Sequence, residues 1–413
     1  MTRKTAVLAV GICTLALLIL FIGTACTPVS APLAAVQAQN SNCITGTQTS
    51  GSIYLICMPG DGQPPWNRDL LLYAHGYMSI DRPIEIPQEQ MVLPGPTGPI
   101  TVNDFVTSLG FGFATTSYPT NGLAVLPAIT DLIDLVDLFT THAARPRRVL
   151  LAGVSEGGLI TTLAIEQHPE VFDGGLAMCG PYGGFHEQIH HYGDFRVIFD
   201  YFFPGLMPGE PMTIPTWLTN EEWSTSFFST TILPVIADPA NALSVTQLLT
   251  VTKASPYTFD PPTSTAVIEQ LLWYNIIGTE DVKLKLGSQP FTNTTRAYSG
   301  SNDDVALNDG VVRIASDPAD PAILEAILRP YEPTGRLIHP LVTLHNTGDF
   351  VVPYWHVPMY QEMVTQAGSD HLYRHFVSDA HGHCEFNALE VLVAFDTLVR
   401  LIPHRVFMPL IVR

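Results

Sequence analysis

The chain has 413 residues, 46% of them apolar and only 14% charged. That is enough apolar length for a sizeable core, and it excludes a disordered chain. Nineteen basic residues face 38 acidic ones, and without Arg3 and Lys4 of the N-terminal segment the balance is 17 against 38, or −21. Such a surface repels nucleic acid and disfavours strongly anionic substrates.

Arg3 and Lys4 precede an almost unbroken apolar run from Ala6 to Ala25 and a small-residue, Pro-rich spacer. Residues 1–38 are therefore expected to direct export and to take no part in the fold. Three endings compete: cleavage after Val36-Gln37-Ala38, lipid attachment at Cys26, or retention as a membrane tether. Each gives a secreted or cell-envelope protein. Cys43, Cys57, Cys179 and Cys384 remain beyond the leader, and an even number in an oxidising compartment predicts two disulfides. Cys43 and Cys57 flank a Gly/Ser/Thr-rich turn and could staple an N-terminal hairpin, which would leave Cys179 and Cys384 to join distant parts of the chain. Four buried free thiols are the alternative.

Strands are expected over 52–57 and 69–74, the second wholly apolar apart from Asp69, as in a central parallel strand. It runs into His75-Gly76-Tyr77. A further strand over 111–118 ends at Pro119. Residues 128–140 have helical period, with Asp131, Asp134 and Asp137 on one face and Ile129, Leu132, Ile133 and Val136 on the other. A strand over 149–152 and a helical pattern from Leu159 bracket Gly153-Val154-Ser155-Glu156-Gly157. Another strand follows over 175–179. Strands alternating with helices imply a mostly parallel sheet covered on both faces, an α/β fold.

The rhythm breaks from about Pro181 to Arg336, a stretch rich in aromatics, Pro, Thr and Met. Helices are expected there over 264–274, with Ser264 as N-cap, and over 321–328. The stretch is too long for a loop and is expected to be a helical cap inserted over the active face. Afterwards come a strand over 341–345, a helix over 358–367, a strand over 371–377, a loop over 378–384 and a helix over 385–401. The domain expectation is a leader over 1–38, a core in two parts over 39–184 and 336–403, an inserted cap over 185–335, and a tail over 404–413.

Strand, tight turn and helix place Ser155 at the apex of a sharp bend, with Gly153 and Gly157 where neighbouring backbone must pass close. The following helix aims its N-terminal N–H groups at the serine, where they favour developing negative charge. A serine hydroxyl needs a base, and the base needs an acid to orient it. Asp349 follows the 341–345 strand in Asn346-Thr-Gly-Asp-Phe-Val-Val-Pro353. The loop after the next strand holds His381 and His383, of which His383 is favoured because Gly382 permits a tight approach. Asp303, Asp304 and Asp379 are rival acids, the first two lying in the cap. Oxyanion donors are expected from the N–H of Glu156 and of Tyr77, with Gly76 allowing close approach and His75 buttressing the loop. His190-His191 and His381-Gly-His383 lack a third ligand at metal-site spacing, and Asp303-Asp304 are expected in a solvated loop, so no metal and no cofactor is expected.

Tyr73-Ala-His-Gly-Tyr77, Gly153-Val-Ser-Glu-Gly157, Asn346–Pro353 and Gly382-His-Cys-Glu-Phe386 together resemble the α/β-hydrolase superfamily. They are similar in particular to exported bacterial serine hydrolases of the esterase, lipase and prolyl-oligopeptidase-like kind. The resemblance covers about 50–180 and 337–402, and more loosely 293–313. It implies Ser155, Asp349 and His383 as a catalytic triad, Tyr77 and Glu156 as oxyanion donors, and a small-molecule or lipid-like ester as substrate. A short-peptide hydrolase, an acyltransferase and a non-catalytic binding protein on the same fold are the alternatives. An acid directly after the nucleophile is a departure from many relatives and is expected to disfavour anionic acyl groups. The histidine loop must also pass close to the end of the 175–179 strand, which gives a reason for a Cys179–Cys384 bridge that would pin it.

Overall fold

The computed structural model describes residues 42–95, 98–254 and 261–402. All of them belong to one compact unit, Asn40–Arg413. The expected leader and the C-terminal tail lie outside the described residues.

Among these residues eight strands make one sheet: β1 (Cys43–Thr47), β2 (Ile53–Cys57), β3 (Asp69–Ala74), β4 (Gly112–Thr116), β5 (Arg148–Val154), β6 (Gly174–Met178), β7 (Leu341–Gly348) and β8 (Tyr373–His381). Their spatial order is β1-β2-β4-β3-β5-β6-β7-β8. β2 is antiparallel to both of its neighbours, and every other pairing is parallel. This is the α/β-hydrolase fold.

Alternation along β3 builds the two faces. Leu70, Leu72 and Ala74 pack with α1 (Val125–His142) and α2 (Glu156–Gln167). Leu71 and Tyr73 point the other way, into a core shared with the helix Val102–Ser108 and the last helix, Ala388–Leu401. Five of the six β3 residues are apolar, and all six are buried. The exception is Asp69, whose carboxylate is paired with Arg147 and Arg148 at the strand's beginning. Truncating a fully buried leucine such as Leu72 to alanine would cost about 2–5 kcal/mol.

The chain between β6 and β7 is helical and folds around a second apolar core containing Phe195, Phe199, Trp223, Leu248 and Leu271. Its principal helices are α3 (Phe185–Phe202) and α4 (Pro261–Leu286). The sequence expectation missed α3, because polar residues on its inner face break the apolar period. Gln188, His190, His191 and Arg196 are all buried. Arg196 is satisfied by Asp200, Asn275 and the carbonyls of Pro208 and Gly209. α4 is far longer than the expected 264–274, and Ser264 is a buried interior residue rather than an N-cap.

Three further expectations are corrected. The acidic face of α1 is not uniformly exposed: Asp137 is exposed and Asp134 half-buried, but Asp131 is buried and takes a hydrogen bond from the Ser52 hydroxyl. Pairing with β7 extends β8 to His381, so residues 378–381 are strand rather than loop. The last helix begins at Ala388, where Asn387 and Glu390 form a reciprocal capping box.

Candidate active site

Four chain segments meet at the carboxyl ends of the parallel strands: the loops after β3, β5, β7 and β8. Ser155 lies between β5 and α2 at φ 57°, ψ −122°, a left-handed conformation that non-glycine residues rarely adopt. The turn is held by the Ser155 N–H donating to the Met178 carbonyl, 3.0 Å, and the Gly158 N–H donating to the Ser155 carbonyl, 2.9 Å. A Cβ on Gly153 would collide with the Gly157 carbonyl, and one on Gly157 with the Ala74 carbonyl. The two glycines thus let strand, turn and helix close onto β3.

His383 reaches this serine. Its Nε2 lies 2.8 Å from Ser155 Oγ, and its Nδ1 lies 2.8 Å from Asp349 Oδ2. Asp349 Oδ1 accepts the N–H groups of Val351 and Val352. His381 is instead the last residue of β8, its ring packed against Gly348. Gly382, at φ 110°, turns the chain between the two histidines. Asp303 and Asp304 cap a helix and a turn within the insertion.

Cys384 follows directly at φ 59° and is bonded to Cys179, with Cα atoms 5.3 Å apart. Cys43 and Cys57 are opposite each other in the β1–β2 pair and form the other disulfide.

The loop after β3 passes beside the serine: a Cβ on Gly76 would lie 3.0 Å from Ser155 Cβ. Gln90, which sequence reasoning did not single out, fixes this loop. Its side chain accepts the Gly76 N–H at 2.6 Å and donates to the Tyr77 carbonyl at 3.3 Å. The Gly76 donor is therefore occupied, and the next N–H along, that of Tyr77, has no backbone or side-chain acceptor among the described residues. The Glu156 N–H is the first of α2, one of the four that a helix leaves without an internal acceptor. His75 is buried, stacks on Tyr118 with ring centroids 3.9 Å apart, and donates from Nδ1 to the Gly76 carbonyl. Burial lowers its pKa to about 4, which keeps it neutral.

The Glu156 side chain turns away from the serine and accepts the Ala124 N–H, 2.9 Å, at the beginning of α1. Burial pushes its carboxyl up to about 8, against a smaller opposing pull from the Ala124 N–H and Lys285. It is therefore neutral at neutral pH, and the expected repulsion of anionic groups by this residue does not arise.

The loop bearing Asp349 is held by buried side chains that carry no motif. His345 Nε2 donates to the Val352 carbonyl, His191 to that of Phe350, and Gln188 to that of Val351, while His356 donates to Gln188. Desolvation lowers the pKa of all three histidines, that of His191 to about 4. Their only sequence signal is histidine in otherwise core-like surroundings.

A cavity of about 110 Å³ opens from Ser155 beneath the insertion, walled by α2, α3 and α4. Phe185, Ile189, Tyr192, Tyr274 and Val282 supply much of its lining. Tyr192 and Tyr274 stack with centroids 5.1 Å apart. Among the described residues, no group of three or more His, Cys, Asp or Glu is placed to hold a metal ion.

No protein-family model matches the chain. A stretch of 61 residues, 15% of this chain and 14% of the other, is 33% identical to o-phthalyl amidase of Xanthobacter agilis. Among solved structures, a putative hydrolase of Legionella pneumophila is similar at TM-score 0.45 and 15% identity, over 88% of each chain. An esterase of Pyrococcus furiosus is similar at TM-score 0.43 and 12% identity, over 88% of this chain and 91% of that one. An acylaminoacyl peptidase of Pyrococcus horikoshii is similar at TM-score 0.38 and 10% identity, over 83% of this chain. This chain spans 37% of that peptidase, and less than half of the other acylaminoacyl peptidases it resembles.

Proposed function

We propose that this protein is an exported serine hydrolase that cleaves carboxylic esters through Ser155, His383 and Asp349. The observation that carries the reading is the continuous line of hydrogen bonds Ser155 Oγ–His383–Asp349, two links of 2.8 Å each, ending on a serine at strained backbone angles. The Nδ1–H of His383 donates to Asp349, which leaves Nε2 free to take the serine proton. Ser155 Oγ then bonds to the ester carbonyl carbon, and the oxygen that becomes negative is held by the N–H groups of Glu156 and Tyr77. Collapse expels the alcohol, which takes the proton back from His383, and leaves an acyl group on Ser155. Water repeats the cycle with His383 as base and releases the acid. The apolar cavity beside Ser155 supports a small or lipid-like ester as substrate. Two disulfides are compatible with an extracellular protein, with the leader either removed or kept as a tether.

The test is hydrolysis of p-nitrophenyl esters and peptide p-nitroanilides by the protein and by Ser155→Ala. Ester turnover lost by about 10⁴-fold or more in the variant is expected. The local likeness to an amidase favours a second reading, amide hydrolysis by the same residues, and dominant anilide turnover would select it. Absence of any turnover, with no labelling of Ser155 by a phosphonate, would overturn both in favour of a binding protein.

A further inference from the structure

Asp349 is 5% exposed, and among the described residues no Lys or Arg pairs with it. A buried carboxylate keeps its charge only where other polar groups replace the water it has lost. Several N–H groups stand round this one. Those of Val351 and Val352 bond to Oδ1, and the Nδ1–H of His383 bonds to Oδ2. A further one belongs to His345 in β7, fully buried, whose Nε2 lies 3.8 Å from the same Oδ2.

The proton on His345 is fixed from both ends of the ring. The Val352 carbonyl, 2.8 Å from Nε2, needs a donor there, and the Tyr182 hydroxyl, 2.7 Å from Nδ1, then donates to the bare nitrogen. The rings of Tyr182 and Tyr354 pack edge-on against the imidazole and hold its plane. Burial lowers the pKa of His345, so at neutral pH it is uncharged and acts as a dipole. At 3.8 Å its N–H makes no hydrogen bond to Asp349, but the field of a dipole is screened far less in a buried site than in water. The other titratable groups around it are His383, Tyr182, Tyr354, His356 from the helix His356–Gln366, and His375 from β8. Burial keeps His356 and His375 neutral too, lowering His375 to about 4. Among the described residues, Asp349 is therefore the charge that His345 faces while His383 is unprotonated.

We propose that His345 is a positioning residue for the catalytic base: its Nε2–H, kept in place by the Tyr182 hydroxyl, offsets part of the charge on Asp349 and so limits the pull of that carboxylate towards imidazolium at His383. His383 must be unprotonated to take the Ser155 proton, and an uncompensated carboxylate beside it favours the protonated form. His345 acts only through Asp349 and touches none of the reacting atoms. The inference rests on the triad reading of Ser155, His383 and Asp349.

The test is the pH dependence of kcat/KM on a p-nitrophenyl ester, and of Ser155 labelling by a fluorophosphonate, for the full chain from about pH 5 to pH 9. Both rates fall on the acid side as His383 takes up a proton. His345→Phe keeps a ring and removes the dipole. It is expected to move the midpoint of the acid limb up by about half a pH unit or more, about a threefold loss of rate on that limb. His345→Gln, whose amide restores a donor towards the Val352 carbonyl and Asp349, should bring the midpoint back towards that of the wild type. Tyr182→Phe loses only the hydroxyl and should move it in the same direction by less; it carries the test alone if the urea midpoint shows that His345→Phe does not fold. If His345 merely supported the loop, both of its variants would displace Asp349, and the midpoint would fall together with kcat. An unmoved or lowered midpoint in His345→Phe (or in Tyr182→Phe where that stands alone), or the same shift in His345→Gln as in His345→Phe, would overturn the proposal. Failure of the triad reading is seen separately, as a wild-type protein that the phosphonate does not label, and it would take this inference with it.

Discussion

Glu156 offers the sharpest thermodynamic test of the site. Its carboxyl is raised from 4.5 to about 8 by burial, so the folded state holds a proton that the unfolded state gives up near pH 4.5. Between those values the folded state binds one more proton, and stability falls as pH rises. At about 1.4 kcal/mol per unit the loss amounts to about 5 kcal/mol by pH 8, and nothing further is lost above it. The side-chain amide introduced by Glu156→Gln keeps an oxygen to accept the Ala124 N–H and cannot ionise. The difference in stability between variant and wild type should therefore grow in the variant's favour from pH 5 to pH 8 and then level off. Urea unfolding at pH 5, 6, 7, 8 and 9, with disulfides intact, measures it. A difference that stays constant across this range would mean that Glu156 is ionised throughout, and the desolvation argument for this site would be wrong.

The buried histidines act in the opposite direction. His75 and His191 are lowered from 6.5 to about 4, so stability present above pH 6.5 is lost as pH falls, about 3 kcal/mol from each by pH 4, and replacing either by Gln should flatten the acid limb of the same unfolding series extended down to pH 4. His383→Ala is expected to lower kcat on an ester about 10⁴-fold or more and His381→Ala far less, and equal losses would reject the assignment of the base. Cys384→Ala opens a bridge that spans 205 residues, for which the loop-entropy estimate is about 5 kcal/mol, so a fall in urea midpoint is expected together with a fall in kcat as the His383 loop loosens. Gln90→Leu should lower kcat about 10- to 100-fold with less effect on KM, because it frees the loop that presents the Tyr77 N–H.

The sheet was legible because parallel strands buried on both faces are continuous apolar runs: 69–74 was read to the residue. The relation of Ser155, Asp349 and His383 was legible for a different reason. Each lies at a strand's carboxyl end, in a turn whose glycine marks where chain must pass close. The side chains that hold those three carry no such mark. Gln90, Gln188 and His191 act through backbone carbonyls and N–H groups brought near by tertiary packing, and no spacing along the chain encodes that. The same packing hid α3 and most of α4, since a helix buried against polar partners loses the apolar period by which helices are recognised.

That hidden part bears on how the site works. α3 belongs to the insertion, yet Gln188 and His191 donate to the carbonyls of Val351 and Phe350, two residues and one residue beyond Asp349. α4 belongs to it too, and Asp281 accepts the Leu123 N–H, 2.6 Å, just before α1, while Lys285 is paired with Asp281. The segment so held ends at Ala124, whose N–H binds Glu156 beside the serine. An insertion swinging away as a rigid lid would break all of these bonds and leave several buried polar groups unpaired, at about 1–3 kcal/mol apiece. The insertion is better understood as a wall of the site than as a door to it. A substitution on α3 far from any substrate should then reach catalysis through the position of Asp349, and through it the orientation of His383.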